Sequence, residues 1–237
     1  MMIDLHSHIL PGMDDGSANV EESLWLLDAL AGQGVTLVAA TPHFYATREY
    51  PEDFLRRREQ SMAHLAPYLT MAHPTIRMGA EVHYFEGMSR AAGLEQLCIA
   101  GTSLFLLEMP YGSWTDRMAD EVLELSRLEG MTLVLAHVER YLAHQPKQLW
   151  ERLAGNGVLL QANAESFTRW LGSGRVLQLV RNGQLHFLGS DCHNSKDRPP
   201  RLAQARARIT RALGQEALWR FDDAQHKWFS RSEVPVG

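Results

Sequence analysis

Two histidines near the start of the chain have the types and spacing of metal ligands. His6 and His8 follow the short strand-like run 2–5, and Asp14 and Asp15 come within the next ten residues. Because residues i and i+2 of a β-strand point to the same side, both imidazoles can face one point. Two neutral imidazoles and a nearby carboxylate bind zinc, manganese or iron. An isolated His-x-His doublet also arises by chance at a strand end, so the rest of the chain has to decide between the two explanations.

The elements that would position these residues alternate along the chain as strand and helix. Short strand-like runs, most of them apolar or β-branched, predict seven strands, near residues 2–5, 35–41, 75–80, 103–107, 131–136, 158–162 and 185–189. Amphipathic patterns predict helices near residues 20–33, 51–68, 88–97, 115–129, 146–153, 166–181 with a break near 172–174, and 199–221 as one or two helices. No linker or low-complexity segment interrupts this order. We therefore expect one α/β domain over residues 1–237.

Six of the seven predicted strands end in a potential metal ligand, either at the last residue or just beyond it. These residues are His6 and His8, His43, Glu81, Glu108, His137, and Asp191 with His193. In barrels of alternating strands and helices, the active site forms where the carboxyl ends of the strands meet the following loops. A single His or Glu at a strand end is usually solvated or caps a helix. Six such coincidences at one position predict a shared site.

The number of candidate ligands also indicates a type of chemistry. With Asp15 there are about nine imidazole and carboxylate candidates, and the two cysteines form no thiolate pair. A structural zinc takes four ligands and usually includes thiolates. The pattern instead predicts two or three cations, with Glu81 or Glu108 bridging, and such clusters bind phosphoryl groups and generate hydroxide at neutral pH. Among the remaining histidines, His83 can also reach this site because it lies two residues beyond Glu81.

Composition excludes several other classes of function. The 237 residues are 45% hydrophobic and 22% charged, with a net charge of −5, which is typical of a soluble globular chain. The arginines at 56–58 and 201–211 have helical spacing and predict solvated helix faces, so we expect no nucleic-acid partner. No apolar run approaches the roughly 18 residues of a membrane span. We expect a cytoplasmic protein without membrane insertion and without a disulfide framework.

Several motifs carry a resemblance to a known superfamily. They are D-x-H-x-H-x-L-P-x-x-D-D-G-S at 4–17, T-P-H at 41–43, G-A-E at 79–81, A-H-V-E-R-Y at 136–141, S-D-C-H-N at 190–194 and D-R-P-P at 197–200. Together they resemble the polymerase and histidinol phosphatase (PHP) superfamily. Within it, the chain is most similar to the bacterial manganese-dependent protein-tyrosine phosphatases of capsule and exopolysaccharide clusters. The resemblance covers nearly the whole chain.

The resemblance implies a fold, a metal centre and a substrate. The fold would be a distorted seven-stranded (β/α) barrel with two or three divalent ions, expected to be manganese, with iron and zinc as alternatives. Arg140 and Arg198 would contact the substrate phosphate, since a planar guanidinium suits phosphate oxygens. The substrate would be the phosphotyrosine tail of a kinase that controls polysaccharide export, hydrolysed by a metal-activated hydroxide. The ligands implied are His6, His8, Asp15, His43, Glu81, Glu108, His137, Asp191 and His193.

Three alternatives and the oligomeric state stay open at this point. Cys192 and Arg198 have the Cys-x5-Arg spacing of cysteine-dependent phosphatases, although the loop between them lacks glycine. A small-molecule phosphatase such as a histidinol phosphatase would use the same metal set. The short 110–115 loop predicts an open active site, which suits a peptide substrate better than a small molecule. A catalytically idle metal-binding module is the third alternative.

Overall fold

The computed structural model describes residues 1–169, 172–231 and 233. In these ranges the strands are β1 Ile3–Ser7, β2 Leu37–Ala40, β3 His43–Phe44, β4 Thr75–Met78, β5 Glu81–His83, β6 Leu104–Glu108, β7 Thr132–Leu135, β8 Leu159–Asn163 and β9 Phe187–Gly189. The α-helices are α1 Val20–Gly32, α2 Pro51–Leu65, α3 Asp116–Leu125, α4 Lys147–Gly155, α5 Ala164–Thr168, α6 Ser173–Arg181, α7 Leu202–Leu213 and α8 Gln215–Arg231. The strand-and-helix alternation therefore follows the sequence pattern closely.

All strand pairs in the two described sheets are parallel. One sheet has the order β1-β2-β4, and the other has the order β3-β5-β6-β7-β8-β9 and curls into a half-barrel. Backbone hydrogen bonds join the sheets beyond the end of β9, where Asp191 N donates to His6 O (2.8 Å) and His8 N donates to Cys192 O (3.0 Å). The carboxyl ends of β1 and β9 are thereby held side by side.

The predicted α/β class and the parallel strands are confirmed, but the single seven-stranded barrel is not. Two of the predicted strands, at 35–41 and 75–80, are each followed after a break by a further short strand in the other sheet, so that β3 follows β2 and β5 follows β4. The first break contains Pro42, which has no N–H to donate to a ladder. The second contains Gly79, where an added Cβ would lie 2.9 Å from Ile99 Cγ1, so another segment approaches the backbone closely. The single domain and the cytoplasmic location stay predictions.

Two helical predictions differ from the structure. The helix expected at 88–97 is wrong, because this segment forms two 3₁₀ turns, Met88–Arg90 and Leu94–Leu97. Gly93 between them has φ +82°, a left-handed conformation that an α-helix does not continue through. At the other end of the chain, α8 continues to Arg231, ten residues beyond the predicted limit at 221. No helix within the described ranges combines the length and apolar character that crossing a membrane would require.

The core and helix α8 cover the amino-terminal ends of the strands, opposite the carboxyl ends that carry the predicted ligands. Inward-facing residues such as Leu5, Leu106 and Phe187 form one buried cluster, and Phe229 of α8 packs into it. Gln225 of α8 also accepts a hydrogen bond from Leu188 N (3.2 Å) and donates one to Ile3 O (3.3 Å). Because α8 closes the amino-terminal ends, the carboxyl ends of the strands remain available for a site.

Candidate metal centre

The predicted ligands converge around one carboxylate, Glu81 at the start of β5. Its Oε2 lies 3.1 Å from His6 Nε2, 3.3 Å from His8 Nε2 and 3.1 Å from His43 Nδ1. Its Oε1 lies 2.7 Å from Nε2 of His137. Glu81 is 1% exposed, so four imidazoles from three separate strand ends surround one buried carboxylate. The structure thus brings side chains 131 residues apart in sequence to one point.

Two further carboxylates border this group. Glu108 Oε1 lies 3.3 Å from His137 Nε2, and Asp191 Oδ1 lies 3.4 Å from His8 Nε2. On the solvent side, Asp15 Oδ1 lies 3.6 Å from Nε2 of His43 and 3.5 Å from Nε2 of His193. Asp15 is the most open of the predicted ligands, with a side chain that is 66% exposed.

Three overlapping sets of side chains bring ligand atoms within 4.8 Å of one another. They are His8, Asp15, His43 and His193; His6, His8 and Glu81; and His43, Glu81 and Glu108. His43 Nδ1 is also a buried nitrogen without a hydrogen bond, although Glu81 Oε2 is near. A buried polar atom without a partner is costly unless something binds it. Imidazole nitrogens and carboxylate oxygens in this density suit divalent cations such as manganese, iron and zinc.

The electrostatics of the group are those of carboxylates held ionised among imidazoles. Burial alone would raise the pKa of Glu81, but His6 and the hydrogen bond from His137 outweigh it and hold that pKa well below its usual range. Burial likewise opposes the shift of His137, whose hydrogen bonds to Glu108 and Glu81 raise its pKa to about 9. His193 differs, because burial and the nearby His8 lower its pKa to about 4. The carboxylate of Glu81 therefore stays ionised, which is the state that a cation requires of its ligand.

Two residues that the sequence did not single out as site residues orient the histidines. His8 Nδ1 donates to Asp14 Oδ2 (2.7 Å), and His6 Nδ1 lies 3.3 Å from Gln161 Oε1. These partners on Nδ1 leave Nε2 of both rings directed at Glu81. Asp14 stood beside Asp15 in the D-D-G motif, and Gln161 belongs to the one predicted strand without a ligand at its end. That strand supplies partners for the ligands, a role that its residue types did not indicate.

Glycine allows the backbone to approach the two leading histidines. A Cβ at Gly16 would lie 2.4 Å from Cβ of His8, and a Cβ at Gly189 would lie 2.5 Å from Cβ of His6. Real Cβ atoms essentially never make such contacts. These two glycines therefore leave the space that His6 and His8 occupy.

The predicted phosphate-binding arginines both face the centre. Arg140 donates to Glu108 Oε1 (3.1 Å) and Asp191 Oδ2 (3.2 Å). Arg198 donates to Asp191 Oδ2 (2.6 Å) and to Nε2 of His193 (2.7 Å). Each guanidinium side chain is 37% exposed, so both border the opening of the site. They lie where an anionic group entering the centre would meet them.

Strained backbone accompanies the turns that carry these arginines. His137 and Asp191 are non-glycine residues with positive φ, 31° and 52° respectively. After His137 the chain enters a 3₁₀ turn, Val138–Arg140, that returns Arg140 toward the strand ends. Such conformations cost free energy and cluster at sites where geometry matters.

The remaining histidines and Cys192 lie outside the group of predicted ligands. His83 contacts its border, with Nδ1 3.0 Å from Glu108 Oε2, and belongs to none of the three described sets. Cys192 is completely buried in the apolar core, and burial raises the pKa of its thiol to about 12. A nucleophilic thiolate needs access and a lowered pKa. The geometry therefore argues against the cysteine-dependent alternative.

The parallel-strand fold and this cluster of imidazoles and carboxylates define an α/β protein with a candidate multi-metal centre at its strand ends. The chain belongs to the capsular polysaccharide synthesis family CpsB/CapC, whose model matches residues 2–222. The family resemblance indicated by the motifs is thereby confirmed.

Individual relatives agree with this family assignment. The chain is 31% identical over 227 residues to the tyrosine-protein phosphatase CpsB of Streptococcus agalactiae, which covers 91% of this chain and 92% of that protein. The fold of the present chain matches a structure from a study of YwqE of Bacillus subtilis and CpsB of Streptococcus pneumoniae, which are described as unique metal-dependent tyrosine phosphatases. That match has a TM-score of 0.82 and 24% identity over 99% of this chain and 96% of the other. A zinc-bound histidinol phosphate phosphatase of Lactococcus lactis has a TM-score of 0.54 at 12% identity, over 90% and 94%.

Proposed function

We propose that the protein is a metal-dependent protein-tyrosine phosphatase, a phosphoric monoester hydrolase that removes phosphate from phosphotyrosine. The observation that carries this proposal is the convergence of four imidazoles on Glu81, with Arg140 and Arg198 at the rim. The similarity to the tyrosine-protein phosphatase CpsB supports the same activity.

The nine predicted ligands would hold two or three divalent ions, for which manganese is our first candidate and iron and zinc are alternatives. Among the carboxylates of the three described sets, Glu81 is the one that belongs to two of them, and a carboxylate has two oxygens to share between ions, so Glu81 is the bridging candidate. When bound, the ions supply a hydroxide nucleophile at neutral pH and neutralise phosphate oxygens. Asp14 and Gln161 act through the histidines that they orient.

The arginines account for the binding of the phosphate group. Two guanidinium groups that share Asp191 Oδ2 can turn toward the phosphate oxygens and stabilise the charge that develops in the transition state. A phenolate leaving group has a conjugate acid with a pKa near 10, well below that of an alkyl alcohol. Tyrosine phosphate therefore needs less help from a general acid than serine phosphate does.

We further infer a substrate and a location for the protein, and a strand count for its barrel. The substrate would be a phosphotyrosine segment of a protein, and the candidate is the tail of a kinase that controls polysaccharide export. The protein would act in the cytoplasm.

The fold would be a distorted seven-stranded barrel in which two strands are interrupted. One of these strands consists of β2 and β3, and the other consists of β4 and β5. The hydrogen bonds between the segment after β9 and β1 support this closure.

The test combines metal analysis with hydrolysis assays. Purified protein is stripped with EDTA, refilled with manganese, and assayed with p-nitrophenyl phosphate, a phosphotyrosine peptide and histidinol phosphate. We expect at least two metals per chain, loss of activity on chelation, recovery on refilling, and preference for the phosphotyrosine peptide. Fewer than two metals after refilling would refute the cluster, and preference for histidinol phosphate would favour the small-molecule alternative.

A further inference from the structure

A cleft of about 530 Å³ opens beside the metal centre and shares residues with it. Asp191, Arg140 and Arg198 line this cleft together with Tyr111 and His144, whose rings contact each other. Tyr111 is 76% exposed, so most of its ring is available to a bound molecule. The cleft therefore pairs phosphate-binding arginines with an aromatic surface.

The loop that carries Tyr111 is fixed by Gln145, a side chain that is only 8% exposed. Gln145 Nε2 donates to Gly112 O (2.7 Å), and its Oε1 accepts from Trp114 N (3.1 Å). Ser113 Oγ adds a hydrogen bond to His144 O (3.2 Å). A buried amide that satisfies backbone groups on both sides of a turn holds that turn in one conformation.

The same loop is attached to the segment that carries Arg140. The hydroxyl of Tyr141 donates to Met109 O (2.7 Å) and accepts from Met109 N (3.1 Å). The ring of Trp114 packs on Tyr141, with 5.3 Å between centroids. Since Arg140 adjoins Tyr141 in the chain, the guanidinium and the ring of Tyr111 are carried by two loops that are joined to each other. Their separation is set by the fold.

The ring of Tyr111 packs against the ring of His144. The two rings meet edge to face, at 65° with 5.0 Å between centroids. Edge-to-face pairing is a favoured aromatic geometry, and because His144 can cover at most one face of the tyrosine ring, the other face is available for a second contact. An exposed aromatic held this way is suited to receive another aromatic ring.

We propose that Tyr111 is a specificity-determining residue that contacts the phenyl ring of an aryl phosphate whose phosphate group is bound by Arg140 and Arg198. This inference rests on the proposed phosphatase function and names the feature that selects tyrosyl over seryl phosphates. An alkyl phosphate has no ring to fill the space beside Tyr111. One aromatic pair contributes about three- to tenfold in affinity.

The test compares Tyr111→Ala and Tyr111→Phe with the wild type, all loaded with manganese. Tyr68→Ala serves as the matched control, because Tyr68 is also exposed (58%) and lies on the 3₁₀ turn after α2, away from the cleft residues. Calorimetry measures the Kd of benzylphosphonate and of ethylphosphonate, two stable analogues of aryl and alkyl phosphates. Steady-state assays measure KM and kcat for phenyl phosphate.

We expect Tyr111→Ala to weaken benzylphosphonate binding about three- to tenfold and to leave ethylphosphonate binding unchanged. KM for phenyl phosphate should rise by a similar factor at constant kcat. Tyr111→Phe and Tyr68→Ala should behave as the wild type.

Two results separate this inference from the proposed function. If Tyr111→Ala leaves the ratio of the two phosphonate Kd values unchanged while the wild type hydrolyses phenyl phosphate, the role of Tyr111 is refuted and the phosphatase function stands. If benzylphosphonate binds in a Tyr111-dependent way and no phosphate ester is hydrolysed, the aryl subsite stands and the phosphatase function is refuted.

Discussion

His8 donates a hydrogen bond from Nδ1 to Oδ2 of Asp14 over 2.7 Å, and the same oxygen accepts from the backbone N–H of His43 over 2.8 Å. One carboxylate therefore fixes the ring of one predicted ligand, His8, and the backbone of another, His43. Burial would raise the pKa of Asp14, but the charge of His8 and these hydrogen bonds outweigh it and lower that pKa.

Asp14→Asn should weaken manganese binding by about 10- to 100-fold, because partners behind metal-binding histidines contribute on that scale. Activity should return at high manganese concentration, since no direct ligand is lost. A manganese titration of activity and of bound metal measures both effects. Equal titration curves for the variant and the wild type would show that Asp14 has no orienting role.

Glu81→Gln should reduce the number of bound metals, because this side chain belongs to two of the three ligand sets. Elemental analysis after refilling with manganese and desalting gives the stoichiometry. His83→Ala is the control, since His83 contacts Glu108 but lies outside the described sets. Full metal content in Glu81→Gln would contradict a bridging role.

Arg140→Ala and Arg198→Ala should each lower kcat for a phosphotyrosine peptide by about 10²- to 10³-fold, the usual effect of removing one donor that stabilises transition-state charge. Bound manganese should stay within twofold of the wild type, because neither residue is a predicted ligand. Arg169→Ala is the matched control, since Arg169 lines the same cleft and pairs with Glu165. A wild-type kcat in either test variant would remove that arginine from the mechanism.

Cys192→Ala should keep most of the activity, because the thiol is buried and its pKa is raised to about 12 by burial. Iodoacetamide should leave the wild type active, and EDTA should inactivate it. Assays with p-nitrophenyl phosphate after each treatment measure this. Inactivation by iodoacetamide together with resistance to EDTA would reverse the assignment.

Stability should fall in mild acid because of His186, at the amino-terminal end of β9. Burial lowers the pKa of this histidine to about 4, so it stays neutral in the fold while the unfolded chain takes up a proton below about pH 6.5. Unfolded chains then bind more protons at this residue, and the contribution of His186 lowers the free energy of unfolding by about 2 kcal/mol between pH 8 and pH 5.

His186→Asn removes this titration and preserves an acceptor for the N–H of Leu160, which donates to His186 Nδ1 (3.0 Å). Urea unfolding of the metal-free proteins at both pH values gives the comparison. The loss between pH 8 and pH 5 should be smaller in the variant by about that amount, whereas the exposed His64→Asn should match the wild type. An identical loss in all three proteins would exclude His186 as the cause.

The convergence of the predicted ligands could be expected from the sequence because its signals are local. An apolar run predicts a strand, and a His, Glu or Asp at its end predicts a ligand. The sequence alone therefore places residues as distant as His6 and Asp191 at the same end of the sheet, where the two side chains are in contact. Pro42 is a local signal for the first break, but the short strand beyond it depends on pairing with a distant strand. The break at Gly79 coincides with the approach of Ile99, which no local pattern encodes.

The partners behind the ligands were missed for a related reason. Gln161 is an amide in a buried strand, and its residue type alone does not indicate a role at the site. It orients His6 because the two side chains are close in space, although they lie 155 positions apart in sequence. Asp14 and Asp15 are adjacent and chemically identical; the resemblance implied Asp15 as the ligand, and the structure adds that Asp14 is a buried hydrogen-bond acceptor behind His8. Residue type and spacing predict which groups can bind metal, whereas long-range contacts decide which groups orient them.

Gly189, the last residue of β9, has a consequence for protein engineering. A methyl group there would meet Cβ of His6 at 2.5 Å and the side-chain amide of Gln161 at 2.6 Å, and the first of these atoms is fixed to the backbone. The position is therefore closed to every L-amino acid with a side chain while His6 keeps its place. A mutant library designed to change metal preference should hold residue 189 constant and vary the more exposed Asp15 instead.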